Sequence, residues 1–452
     1  MTQIDVDYDL IVQMRDLVVA RLRSGDLPAG LLDDSDEVGQ ARSLADLVAG
    51  DWNADRGARG LSMLDLESLD LMVEAVIAEM FGLGRLQPYI DDESIENIDV
   101  NGCDGVWVTY ASGKMEKHPP LADSDEDLVR LVQLIAHRKG HAERQFDPAH
   151  PELDLRLPDG SRLSAVMSVS SRPTVSIRRH RLSNPTMDDL VGRSMVDAGL
   201  AHLLWAAVRS QCNLMVAGPM NAGKTTLLRA LANCIPPYER IVTVEQSFEL
   251  GLHDLPSHPN AIALEAREPN MEGEGAVAMR RLVRRTKRMN ANRVIVGEVL
   301  GDEIIDMLTA MLQGSSGSMC TIHSDSAAGT FTQIGNYMLQ APERLTMEQS
   351  QALAAQALDF IVYVSLIDET SESEDADPGT DLTVFHSRQY KRVVTELIEV
   401  TGYDAGTAHS NTLFGPLGPD RYGFTGVALS PRMHERLSRF GYDHSISCQD
   451  LS

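Results

Sequence analysis

Apolar and polar positions change rhythm several times along this chain. From Leu66 onward apolar residues recur at helical spacing, with Leu69, Val73, Val76, Ile77 and Met80 on one face, and the pattern stops near Gly82 and Gly84. The period then drops to two: Ile98 and Val100, a turn from Asn101 to Gly105, then Val106, Val108 and Tyr110 predict a hairpin. A helix is expected from Asp125 to His137. Leu153, Leu155 and Leu157 alternate with Asp154 and Arg156, Pro158-Asp159-Gly160 turns the chain, and Leu163, Ala165 and Met167 resume the alternation. Val175 and Ile177 add a further strand. This order of helix, strands, helix, strands describes a small α+β domain over residues 61–181. Residues 1–60 carry one helical candidate, Leu10 to Leu22, and then a polar stretch punctuated by glycine, which predicts a partly flexible extension.

Beyond a linker at residues 182–186, where Pro185 resists helix, short apolar runs alternate with helical segments over residues 187–365. That alternation predicts an α/β domain, a parallel sheet covered by helices, with strands at 213–218, 241–245, 293–297, 318–322 and 360–365. Met279 to Met289 reads as a helical segment with a basic face, expected to be solvated or paired with acidic surface. Residues 366–452 form a C-terminal segment. It opens with an acidic insertion from Ile367 to Asp381, and its one clear strand runs from Val393 to Val400.

Composition narrows the partners. Forty Lys and Arg against 66 Asp and Glu give a net charge of −26, which repels nucleic acid and anionic lipid at long range, so no direct nucleic-acid partner is expected. No run approaches the roughly 20 apolar residues of a membrane span, and no secretory signal is visible. The five cysteines are scattered without metal-type pairing. A cytosolic location is the expectation.

The chemistry gathers around Gly218-Pro219-Met220-Asn221-Ala222-Gly223-Lys224-Thr225, a glycine, four residues and Gly-Lys-Thr, followed by Thr226. An apolar run precedes it, and Leu227, Leu228, Leu231 and Ile235 follow at helical spacing, the setting of a phosphate-binding loop. Such a loop turns backbone N–H groups toward an anion, Lys224 adds a mobile charge, and the Thr225 hydroxyl can hold Mg²⁺. ATP hydrolysis also needs carboxylates and a γ-phosphate sensor. Two apolar runs end in acids, Glu245 and Glu298, and a third ends in His323; carboxyl ends of parallel strands face the ligand crevice. Arg156, Arg162, Arg178 and Arg179 of the first domain are candidates to reach a phosphate across a domain or subunit boundary.

Taken together, Gly218 to Thr225, Val242 to Glu245 with Glu249, Val294 to Glu298, and Thr321-Ile322-His323 resemble the Walker A, Asp box, Walker B and His box of the type II/type IV secretion ATPase superfamily. Leu157 to Arg162 and Met289 to Gly301 resemble its tight-adherence pilus branch, TadA/CpaF, in particular. The resemblance implies a RecA-like P-loop ATPase domain behind the smaller N-terminal domain, assembled as a hexamer around shared Mg-ATP sites. Lys224 and Thr225 would hold phosphates and Mg²⁺, Glu245 would activate water, Glu298 would organise metal and water, and His323 would sense the γ-phosphate. Arg156, Arg162 and Arg178 match first-domain arginines that approach the nucleotide. The implied partner is an inner-membrane platform protein, which would place the chain peripherally at the inner face of the membrane. The sequence departs from the family at Gln246 and Asn292, where Asp is usual, and at Leu300, where Arg is usual. Two other readings stay open: an ATPase of a DNA-transfer type IV system, and an ATP-binding regulatory subunit with weak hydrolysis.

Overall fold

The computed structural model describes residues 8–24, 37–138, 145–179, 184–267, 269, 274–368, 384–386, 390–418 and 421–442. Residues 182–183 of the expected linker, and the acidic insertion beyond residue 368, lie outside them. The chain divides into two units, residues 1–181 with 377–387, and residues 182–376 with 388–452.

Unit 1 begins with three helices, α1 (Tyr8–Ser24), α2 (Glu37–Ala58) and α3 (Leu66–Phe81). Ile11 and Val18 of α1, Leu44 and Val48 of α2, and Val73 and Val76 of α3 bury one another. This corrects the expected polar extension: residues 37–58 are a packed helix. Half of its buried stripe is alanine (Ala41, Ala45, Ala49), which allows close approach but gives a weak apolar signal in sequence. Helix α3 starts at Asp65, whose carboxylate accepts from the Ser68 N–H, and ends at Gly82, as its pattern predicts.

A short helix α4 (Gln87–Asp91) leads into β1 (Ile95–Asn101), β2 (Val106–Tyr110), β3 (Lys114–His118), helix α5 (Asp125–Arg138), then β4 (Glu152–Arg156), β5 (Arg162–Val166) and β6 (Thr174–Arg178). These strands form an antiparallel sheet in the order β3-β2-β1-β6-β5-β4. Ile98, Leu155, Leu163 and Ile177 point to one face and are buried with Leu128, Val132 and Ile135 of α5. The alternating residues occupy the other face.

Unit 2 runs through α6 (Met187–Gly192), α7 (Ala198–Arg209), β7 (Leu214–Gly218), α8 (Lys224–Ala232), β8 (Ile241–Glu245), β9 (Ala261–Glu265), α9 (Met279–Thr286), β10 (Arg293–Val299), α10 (Glu303–Leu312), β11 (Met319–His323), α11 (Gly329–Gln340), α12 (Met347–Ala357) and β12 (Phe360–Asp368). Its parallel strands lie in the order β12-β7-β11-β10-β8-β9. The loop-bearing strand β7 is thus separated by β11 from β10, the order of a RecA-like domain. Both faces are buried, as continuous apolar runs require. Leu214, Val216 and Ile295 pack toward α7 and α8, whereas Met215, Ala217, Val294 and Val296 pack toward α10 and α11.

Strand β13 (Val384–His386) pairs antiparallel with β3 of unit 1. The sheet of unit 2 is extended past β12 by antiparallel β14 (Tyr390–Asp404), β15 (Thr407–Gly418) and β16 (Arg421–Phe424), and helix α13 (Pro431–Ser438) follows. The expected strand at 393–400 is therefore the middle of a longer one.

Two buried polar groups tie the sheet together at the strands' amino ends. Asn213 accepts from the N–H groups of Gly317 and Ser318 at 2.8 and 3.1 Å and donates to the Ala357 carbonyl at 2.7 Å. Arg293, fully buried, donates to both carboxylate oxygens of Glu239 at 2.7 and 3.0 Å and to the Val208 carbonyl at 2.8 Å. Removing one member of such a pair strands a charge in the interior. Arg293→Ala is expected to lower the stability of the chain by about 3–5 kcal/mol, measured by chemical denaturation; a loss under about 1 kcal/mol would mean that Glu239 finds another partner or solvent.

Candidate functional site

Strand β7 delivers the chain to the loop at Gly218, where a side chain has no room: a Cβ would sit 2.4 Å from the Val364 carbonyl oxygen of β12. The loop passes through the exposed Met220 and through Asn221, whose φ is +62°, and re-enters the fold at the buried Ala222. Gly223, at φ +91°, forms the N-cap of α8, so the free N–H groups of that helix open beside the loop. Lys224 lies in the first turn of α8 and is buried; Thr225 and Thr226 follow it, half-buried.

In the parallel register His323 stands opposite Gly218. The Lys224 ammonium donates to the Pro219 carbonyl at 2.9 Å and lies 3.1 Å from His323 Nδ1. Since an ammonium has donors only, Nδ1 must accept, which leaves the proton of the neutral ring on Nε2. That nitrogen is 2.7 Å from Glu298 Oε1, so it donates to the carboxylate. The same Glu298 oxygen is 3.9 Å from the lysine. Lys224, His323 and Glu298, separated by up to 99 positions in sequence, form one connected polar chain beside the phosphate-loop backbone. A cavity of about 650 Å³ opens next to Pro219 and His323, with Ser324, Asp325, Asn336 and Tyr363 among its walls.

Glu245 is held by the loop that follows it. Its carboxylate is buried, with Oε1 accepting from the Thr243 hydroxyl at 2.9 Å and Oε2 from the backbone N–H groups of Glu249 and Leu250 at 2.7 and 2.8 Å. Burial pushes its pKa up, and those three donors pull it back. Through these bonds Glu245 also shapes the loop that follows β8. Glu249 is half-exposed on the same loop.

Other polar groups were not anticipated. Glu303 Oε1 accepts from the Leu300 and Gly301 N–H groups at 2.6 and 2.9 Å and so shapes the turn after β10. Arg392 of β14 donates through Nε to the Asn221 carbonyl at 2.9 Å. Of the three departures, Asn292 accepts from the Arg240 N–H at 2.7 Å, a job its amide does as well as a carboxylate, while Gln246 and Leu300 are exposed. On the basic helix α9, Arg280 is paired with Asp302, Asp306 and Glu343, and Arg281 and Arg285 are exposed.

In unit 1 the register sets Arg156 opposite Arg162 and Arg162 opposite Arg178. Cross-strand partners share a face, so three of the sequence-predicted arginines stand in one row across β4, β5 and β6, on the face away from α5. Arg179 lies at the end of that strand, 3.8 Å from the Asp159 carboxylate.

Residues 80–411 match the family described as Type II/IV secretion system protein. A Mycobacterium tuberculosis protein whose name provisionally assigns it to conjugal transfer is 34% identical over 256 residues, covering 55% of this chain and 70% of that one. The type IV secretion system protein PtlH of Bordetella pertussis is 28% identical over 309 residues, 63% of this chain and 89% of its own. Among solved structures, the VirB11 ATPase of Brucella suis in complex with sulphate is 24% identical with a TM-score of 0.33, covering 69% of this chain and 95% of that one. The pilus retraction motor PilT with bound ADP is 17% identical with a TM-score of 0.46, covering 72% and 83%.

The inward geometry of Glu245 has a local signature. Glu245→Ala is expected to speed hydrogen exchange at the Glu249 and Leu250 amides by at least about tenfold, since both lose their acceptor. Unchanged protection there, measured by exchange on the folded variant, would remove the loop-folding role.

Proposed function

Because the chain belongs to the type II/IV secretion system protein family, we propose that it is a cytosolic ring-forming ATPase whose hydrolysis cycle drives assembly of a tight-adherence pilus, or protein secretion, through an inner-membrane platform. The observation that carries this reading is the connected chain Lys224–His323–Glu298 beside the α8 N-terminus. The Pro219 carbonyl and His323 engage the lysine ammonium; a phosphate at the loop would compete for its donors. Releasing His323 from Lys224 frees Nδ1, so the ring that hydrogen-bonds Glu298 is sensitive to what occupies the lysine.

For Mg²⁺ the available donors fit a hard cation: the Thr225 hydroxyl at the start of α8 and the Glu298 carboxylate at the end of β10 are both oxygen ligands. The ion would neutralise charge developing between the β- and γ-phosphates. The proton of the attacking water needs a carboxylate to accept it. We assign this role to Glu245 at the end of β8, whose three donors leave one lone-pair site of its carboxylate open. The row Arg156–Arg162–Arg178 suits phosphate oxygens, and we place it at the nucleotide of a neighbouring subunit in the ring. Among the described residues no helix is long and apolar enough to cross a membrane, so contact with the membrane would run through the platform protein.

The test is Mg-dependent ATP hydrolysis by the full chain, read together with its mass in solution. Lys224→Ala is expected to abolish tight ATP binding. Glu245→Gln should bind ATP and lower kcat by about a hundredfold or more. A concentrated wild-type protein that binds no nucleotide would sink the reading. Deleting the gene in its host is expected to remove surface pili and leave DNA transfer intact; the opposite result would select a DNA-transfer system.

A further inference from the structure

The phosphate loop is touched from behind by the C-terminal part of the chain, which the nucleotide reading leaves without a role. Strand β14 is held antiparallel to β12, with Arg392 opposite Leu366, and its Val394 N–H donates to the Met195 carbonyl at 2.8 Å. Two side chains reach the loop, one from ahead of α7 and one from β14. Met195 and the Arg392 stem lie 3.1 and 3.4 Å from the position a Cβ would take on Gly223. The Arg392 guanidinium goes further and donates through Nε to the Asn221 carbonyl at 2.9 Å.

That one bond sets a peptide plane. In a trans peptide the C=O of one residue and the N–H of the next point to opposite sides. With the Asn221 carbonyl drawn outward to Arg392, the Ala222 N–H faces the inside of the loop. There it has only a long contact, 3.4 Å, to the Pro219 carbonyl. An inward N–H with so weak a partner is what an anion in the loop requires. Asn221 meanwhile sits at φ +62°, a conformation that asparagine tolerates.

We propose that Arg392 is a positioning residue for the phosphates of a bound nucleotide: it holds the Asn221–Ala222 peptide with its N–H directed into the phosphate cradle. The proposal rests on the reading of Gly218 to Thr225 as a nucleotide site. It adds a member from 171 positions downstream that belongs to none of the sequence motifs.

The experiment uses the full chain with ADP and ATP as probes. Arg392→Met keeps the stem and removes every donor; Arg392→Lys keeps the charge without the guanidinium geometry. The Met variant is expected to bind ADP about ten- to a hundredfold more weakly, the range that follows from losing one charge-assisted hydrogen bond. Its KM for ATP should rise in the same proportion with kcat within about twofold of wild type. The Lys variant should recover part of the affinity. Melting midpoints without nucleotide should agree among all three proteins. ADP affinity unchanged in Arg392→Met would overturn the proposal. So would a loss of affinity that follows, variant by variant, a fall in the nucleotide-free melting midpoint, because the contact would then serve the fold alone. A wild-type chain that binds neither ADP nor ATP would instead overturn the nucleotide reading beneath it.

Discussion

The amide of Asn213 is the contact on which the site most depends. It joins the start of β7 to the start of β11 through Gly317 and Ser318, and to the end of α12, just ahead of β12, through Ala357. A parallel sheet buried on both faces tolerates no slip, since moving one strand by a residue reverses every side chain on it. By pinning the amino ends, Asn213 determines what meets at the carboxyl ends. Gly218 lies opposite His323, and the lysine at the start of α8 comes within reach of the imidazole. The buried Arg293–Glu239 pair does the same for β10, whose far end carries Glu298. Polar groups buried at one end of the sheet thus specify the chemistry at the other.

Much of this was legible in sequence, for definable reasons. Five of the six parallel strands were readable because strands buried on both faces appear as unbroken apolar runs, each closed by a glycine or a polar residue; β9, half-exposed at the sheet edge, was not. The hairpins of unit 1 were readable from their period of two and their Asn-Gly and Pro-Asp-Gly turns. Helix α2 escaped because half of its inner face is alanine, which contributes close packing with little hydrophobic contrast. Strands β15 and β16 escaped because polar and half-exposed residues dominate them, as befits an edge extension.

The site itself divides along a similar line. Phosphate loop, Glu298 and His323 were found because each closes a recognisable strand. What a strand-terminal acid does could not be found that way. Glu245 and Glu298 both end apolar strands, yet one carboxylate turns back onto amides four and five residues ahead while the other reaches a histidine. The difference lies in the loop after each strand, and a pattern of residue types does not record where a loop folds. Arg392 and Glu303 illustrate the same limit, for their partners are backbone atoms, which every residue possesses.

The row of arginines in unit 1 carries an electrostatic consequence. Like charges on directly opposed positions of a sheet repel, and here three follow one another across adjacent strands. A row of neutral residues would not carry this repulsion. An anion laid along the row would gain its own attraction and also ease that repulsion. Because the row is partly open to solvent, counterions of ordinary salt compete for the same relief over a distance of about 8 Å. Ionic strength thereby becomes a control on how strongly this face of the chain seeks a partner.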